Sequence, residues 1–344
     1  MTAQEIEEIE EVDAYYDKQK IRPLQGGCYT ERVSGIDIIY GSIGCAVTYT
    51  GPDGGPDGNN PALQHGGTYA LSAEHVVGPV GTGVGQPYDI DNDRIGWVQL
   101  AVSGTEDEHG DFAISDLLRY DDKFLPQIIG LGAVLGEHDV TADEIGHYPV
   151  SKRGSETGIT HGKVTASHQT VSFIDGDRKY ELKGLLEITA NEGTFGENGD
   201  SGSVVVSIQN QVVGLLVAAS ADFTKGYAVP IAQIRDRLQV RTLAARMTFK
   251  GAPSQRVPSG KDKVYLILRL PAPAPMAGLM VDLTTTGKTP VAKVPARATF
   301  PGLSDRSWPI PVERASAGAV GEAVIKAVAA HVPDLEATLT LQFE

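Results

Sequence analysis

The run ENGDSGSVVV, residues 197–206, decides how the rest of the chain is read. Acyl transfer needs a weak hydroxyl nucleophile held beside backbone N–H groups that can stabilise a developing oxyanion. Glycine on both sides of the Asp200-Ser201 pair lets the backbone turn tightly and bring its amides forward with no Cβ in the way. The amides of Gly199 and Ser201 can then converge on one point, and Asp200 can anchor the turn through an internal ion pair or hydrogen bond. Ordinary turns use the same residue types, so the string needs partners elsewhere in the chain.

A serine nucleophile requires a histidine base, and the base requires a carboxylate that fixes its tautomer and stabilises its charged form. TYALSAEHVV (68–77) places His75 directly after an apolar β-type run, and HGDFAISDL (109–117) places Asp111 ahead of Phe-Ala-Ile. The rivals fit less well. His65 sits in a Gly-rich loop, and His109 lies in the acidic loop EDEHGD (106–111). Asp107 and Asp116 are near Asp111, Asp116 being read as a surface residue, and Ser203 lacks the Gly-Asp frame.

With these motifs in the order His, Asp, Ser, the sequence resembles the trypsin/chymotrypsin clan of serine peptidases. LSAEHVV is similar to that clan's histidine motif, with Glu74 where a small residue or Asn is more common; DFAI is similar to its aspartate motif and GDSGS to its serine motif. IRPLQGG (21–27), GSIGCAV (41–47), GQPYDID (85–91) and SKRGSETGITHGKV (151–164) resemble intracellular bacterial relatives of the plant narrow-leaf protease group. KGYAVPI (225–231) resembles the closing segment of those proteins and of Deg/HtrA proteases, so the resemblance spans roughly residues 21–240.

The resemblance implies two six-stranded β-barrels with the site in the cleft between them. It implies His75 and Asp111 from the first barrel, and Ser201 with the oxyanion amides of Gly199 and Ser201 from the second. Matching VGLLVAAS (213–220) to the strand that lines the clan's primary pocket puts Val217, Ala218 and Ala219 at the rim and Phe195 near the base. No acidic residue is evident at the bottom, so a small or medium apolar substrate side chain is expected rather than Arg or Lys. Secreted members pair the aspartate before the serine with a newly freed N-terminus; here Asp200 needs another partner, for which Lys152 and Arg153 are the candidates.

Outward from the motifs, the chain divides by texture. Residues 1–20 carry Ile6, Ile9, Val12 and Tyr16 at helical spacing among acids, which predicts an amphipathic helix. Residues 21–246 form the protease-like region. Its β-type segments include 43–50, 68–73, 93–102, 162–167, 183–189, 203–208 and 212–219, and residues 230–246 return to helical periodicity as a closing helix. The loop GPDGGPDGNN (51–60) lacks EF-hand spacing and reads as a surface turn. Pro-rich text suggests a linker over 247–262. Residues 263–344 read as a small α+β accessory domain, with strands near 263–270, 278–284 and 337–343 and a helix near 317–331 from Val320, Val324 and Val328.

The 344 residues carry 44 acidic against 29 basic side chains, a net charge of −15 that repels phosphate backbones and anionic lipid. Nucleic-acid and membrane partners are therefore not expected. Cys28 and Cys45 alone make no disulfide framework. No basic-then-apolar leader and no run of 18 apolar residues is visible, and a cytoplasmic location is expected. The expected function is a serine endopeptidase acting on protein or peptide through an acyl-enzyme, with no cofactor or metal. Its accessory domain would bind a protein activator or a substrate. The alternatives are a catalytically silent trypsin-fold binding module, or the protease component of a bacterial defence or stress system.

Overall fold

A computed structural model describes residues 18–34, 37–88, 90, 92–117, 124–175, 178–286 and 291–344. The helix expected within residues 1–20 falls almost wholly outside the described residues. The chain is mainly β, and it separates into two compact units: residues 1–130 with 137–243, and residues 131–136 with 244–344. Among the described residues, no helix is long and apolar enough to cross a membrane.

The first unit contains two large β systems beside a short parallel pairing of Leu24–Gly26 with Phe124–Ile128. One is an antiparallel eight-stranded sheet in the order Val240–Thr242, Cys45–Tyr49, Thr68–Ser72, Phe112–Ser115, Arg94–Val102, Gly83–Gly85, Tyr29–Ser34, Asp37–Ser42. The other is a closed six-stranded barrel in the order Tyr148–Gly154, Gly158–Asp175, Arg178–Ala190, Lys225–Pro230, Val212–Ala219, Val204–Ser207. β-Branched runs such as Val204-Val205-Val206 and Val212-Val213 suit pleated strands, and their side chains are buried. Val150, Val164, Leu186, Ile188, Phe195, Val205, Val213, Leu216 and Ala228 make up the barrel core. Closing the barrel leaves no unpaired edge and fixes the loops at its rim, where Ser201 sits.

The closing helix is shorter than its periodicity predicts. It runs over Ile231–Leu238 and stops at Gln239, which adopts a left-handed φ of 51°. Residues 240–242 then become the edge strand that pairs with Cys45–Tyr49.

The second unit is all β among its described residues, which corrects the α+β expectation. Residues 321–329 form a strand, Gly321–Ala329, flanked by Leu279–Thr286 and Val332–Phe343. Valines spaced by four fit a two-residue period as well as a helix, and here the alternate residues Ala323, Ile325, Ala327 and Ala329 supply the buried face. The expected linker is also structured. Ser254–Val257 pairs in parallel with the chain's last strand and completes a five-stranded sheet.

Candidate active site

His75 lies in a one-turn helix, Glu74–Val77, directly after the strand Thr68–Ser72. Buried Arg32 ties down the end of that turn, its Nε donating to the Val76 carbonyl at 2.8 Å and its NH2 to the His75 carbonyl at 3.2 Å. Asp111 precedes the strand Phe112–Ser115 and holds a φ of 109°, a conformation a non-glycine residue adopts only when its surroundings impose it. What imposes it is visible. The Asp111 amide donates to the Val102 carbonyl at 2.8 Å, Oδ2 lies 2.7 Å from His75 Nδ1, and Oδ1 accepts from the His75 backbone amide at 2.9 Å. Asp111 is wholly buried, so its charge is compensated by these donors.

Ser201 sits in the turn that leads into Val204–Ser207, and the opposite sheet holds that turn in place. The Ser42 amide donates to the Ser201 carbonyl at 2.8 Å, and the Ser42 and Ser155 hydroxyls donate to the Gly199 carbonyl at 3.0 and 2.8 Å. Gly202 must be glycine, because at φ 90° a Cβ would lie 2.3 Å from the Ser42 carbonyl oxygen. Gly199, at φ 108°, is packed against the Tyr40 ring. Among the described residues, no backbone carbonyl accepts from the Gly199 or Ser201 amide. Such a pair of donors can receive a developing oxyanion.

Of the two candidate partners, Lys152 is the one that pairs with Asp200. Its Nζ meets Asp200 Oδ2 at 2.9 Å, with both side chains fully buried. Asp200 also accepts from the amides of Glu156, Thr157 and Glu197 at 3.0, 3.1 and 3.0 Å and from the Thr157 hydroxyl at 2.6 Å. Burial alone would raise this carboxyl, but the Lys152 charge and the bonds from Thr157, Lys152 and Glu197 outweigh it and hold it below the usual carboxylate range.

His75 and Ser201 both line one cavity of about 160 Å³, and the Ser201 hydroxyl points to the Val217 carbonyl at 3.4 Å. Val217, Ala218 and Ala219 line the same cavity. Phe195 does not. It is fully buried in the barrel core, its ring fitted against Gly162 and Gly226, where a side chain would collide with it. Sequence reasoning missed Glu197, Phe173, Ile174 and Phe223 in the lining, and Glu197 brings a carboxylate where none was expected. Ser42, Ser155 and Thr157, which brace the serine turn, lie in the segments 41–47 and 151–164 that the sequence singles out, but nothing in those segments assigns them this role.

The rivals lie apart from this arrangement. His65 Nδ1 is 3.1 Å from the Gly51 carbonyl in its loop, and His109 is half-exposed beside Asp107 and Glu108. Asp116 Oδ1 accepts from the Trp97 amide, and Ser203 is buried beneath the turn.

No protein-family model matches the chain. Among solved structures it is similar to a chymotrypsin from Cellulomonas bogoriensis at 21% identity, covering 64% of this chain and 98% of that one with a TM-score of 0.45. Protease A from Thermobifida fusca matches at 19% identity over the same shares, with a TM-score of 0.43. A Nocardiopsis protease matches at 21% identity over 64% of this chain and 98% of its own, with a TM-score of 0.43.

Proposed function

We propose that the chain is a serine endopeptidase that cleaves protein or peptide substrates through an acyl-enzyme. The observation that carries this reading is the Asp111 carboxylate bound to both Nδ1 and the backbone amide of His75, at the wall of a cavity that Ser201 shares. Ser201 Oγ attacks the scissile carbonyl while His75 Nε2 takes its proton, and Asp111 stabilises the imidazolium. The Gly199 and Ser201 amides donate to the oxyanion of the tetrahedral intermediate. The carbon–nitrogen bond then breaks, and the departing amine takes the proton from Nε2. Water repeats the sequence on the ester, giving up a proton to His75 and freeing Ser201.

The neighbours' character as proteases supports the reading only through shared architecture; the paired side chains are its main support. The narrow-leaf kinship rests on the sequence of residues 21–27, 41–47, 85–91, 151–164 and 225–231 alone. A fluorophosphonate probe tests the proposal, since it reacts only with a serine activated by such a base. Wild-type protein should be labelled on Ser201 and Ser201→Ala should not be. A folded wild-type chain that stays unlabelled would remove the enzyme assignment.

A further inference from the structure

One feature near His75 has no counterpart in the triad motifs. The strands Gly158–Asp175 and Arg178–Ala190 pair on through Val171↔Leu182, Phe173↔Tyr180 and Ile174↔Lys179, as a hairpin that reaches the histidine. The Phe173 and Tyr180 rings stack at 4.8 Å with 3° between their planes. Both then present to the His75 imidazole at 5.7 and 5.9 Å, with interplanar angles of 69° and 68°, as edge-to-face aromatic pairs do. Burial pushes the Tyr180 phenol up to about 12, so it stays neutral beside the histidine. Gly104 permits the approach, because a Cβ there would meet Leu182 at 2.5 Å and Tyr180 at 2.8 Å.

An ion pair spans the same junction. Arg178, at the hairpin's tip, lies 3.2 Å from Glu74, the residue just before His75. Glu74 is only 1% exposed and also accepts from the Ser103 hydroxyl at 3.0 Å. A carboxylate that deeply buried is costly unless it is paired, so its presence beside the histidine calls for a return beyond packing.

We propose that Glu74 and Arg178 are positioning residues for the reaction assigned above, on which this inference rests. Their ion pair fastens the Phe173–Tyr180 stack to the imidazole. The stack fixes the ring plane and excludes water from the Asp111–Nδ1 bond, which strengthens that bond. Neither residue touches substrate.

The test uses the full chain. The second-order rate of Ser201 labelling by an ethoxy-fluorophosphonate is measured together with the low-field proton NMR signal of His75 Nδ1–H. Arg178→Gln should lower the rate by about tenfold, the scale of a slightly misplaced catalytic group. It should also broaden the proton signal by exposing it to water exchange. Arg178→Lys should restore most of both. In a Glu74→Gln background, where the pair is already gone, Arg178→Gln should add nothing further. A wild-type rate together with an unbroadened signal in Arg178→Gln would overturn the proposal. Should the wild-type chain not label at all, the peptidase reading fails, and the proton signal in the same variants still decides whether the pair positions His75.

Discussion

Asp111 grips His75 twice, one carboxylate oxygen on the ring at 2.7 Å from Nδ1 and the other on the backbone amide at 2.9 Å. A single bond would orient the ring only about its own axis. The second bond ties the carboxylate to the chain that carries the ring, so the two groups move as a unit. The left-handed backbone of Asp111 is the cost of placing both oxygens at once.

Asp111→Asn should therefore leave the fold intact and cripple the chemistry. The amide can still accept one bond, but it cannot stabilise an imidazolium and favours the wrong tautomer. The rate of fluorophosphonate labelling should fall by about 10³–10⁴-fold with circular dichroism unchanged.

Lys152→Met should act through stability as well as activity. It strands the Asp200 charge in a fully buried site, a change that typically costs about 3–5 kcal/mol. Urea denaturation would read that loss. The double variant Lys152→Met with Asp200→Asn should recover much of the stability, because no buried charge is left alone. Labelling should stay weak, since the serine turn has lost its anchor.

The depressed Asp200 carboxyl also sets a pH dependence of folding. Its folded value lies below the unfolded one, so the stabilisation is complete above the unfolded value of ~3.9. It should decline as the pH falls below that point and be gone once the folded carboxyl protonates. Denaturation midpoints from pH 6 down to 2 should show this loss in the wild type. The Lys152→Met/Asp200→Asn variant should show a smaller one.

Peptide profiling should favour small or medium apolar residues on the acyl side of the cut. The cavity of about 160 Å³ is walled by Val217, Ala218, Ala219, Phe173 and Phe223. A preference for Arg or Lys would contradict this and point to Glu197, in which case Glu197→Gln should abolish it.

Much of this was legible because it depends on local chemistry. The strand segments at 68–73 and 212–219 follow from β-branched and aromatic runs bounded by turns, and they appear as Thr68–Ser72 and Val212–Ala219. Gly-Asp-Ser-Gly announces its own turn, because glycine takes the positive φ at 199 and 202 without the strain a Cβ would bring. Apart from Lys152, the distant residues that brace the serine turn were invisible. Nothing in the text around Ser42 says it will bond to Gly199, 157 residues on. Phe195 was placed at the pocket base by its offset from Ser201 in the family match, which does not say how deep the barrel core reaches, and its ring lies in that core. The helix expected at 317–331 failed because a four-residue spacing serves both periods, and long-range pairing on both sides of Gly321–Ala329 settled the choice.

The edge strand at 240–242 has a consequence for how this molecule comes into being. The sheet that carries His75 takes its last strand from chain made after the entire barrel that carries Ser201. A ribosome therefore cannot release a finished first lobe ahead of the second. Synthesis must pass residue 242 before the sheet beside His75 and the barrel beside Ser201 both hold all of their strands.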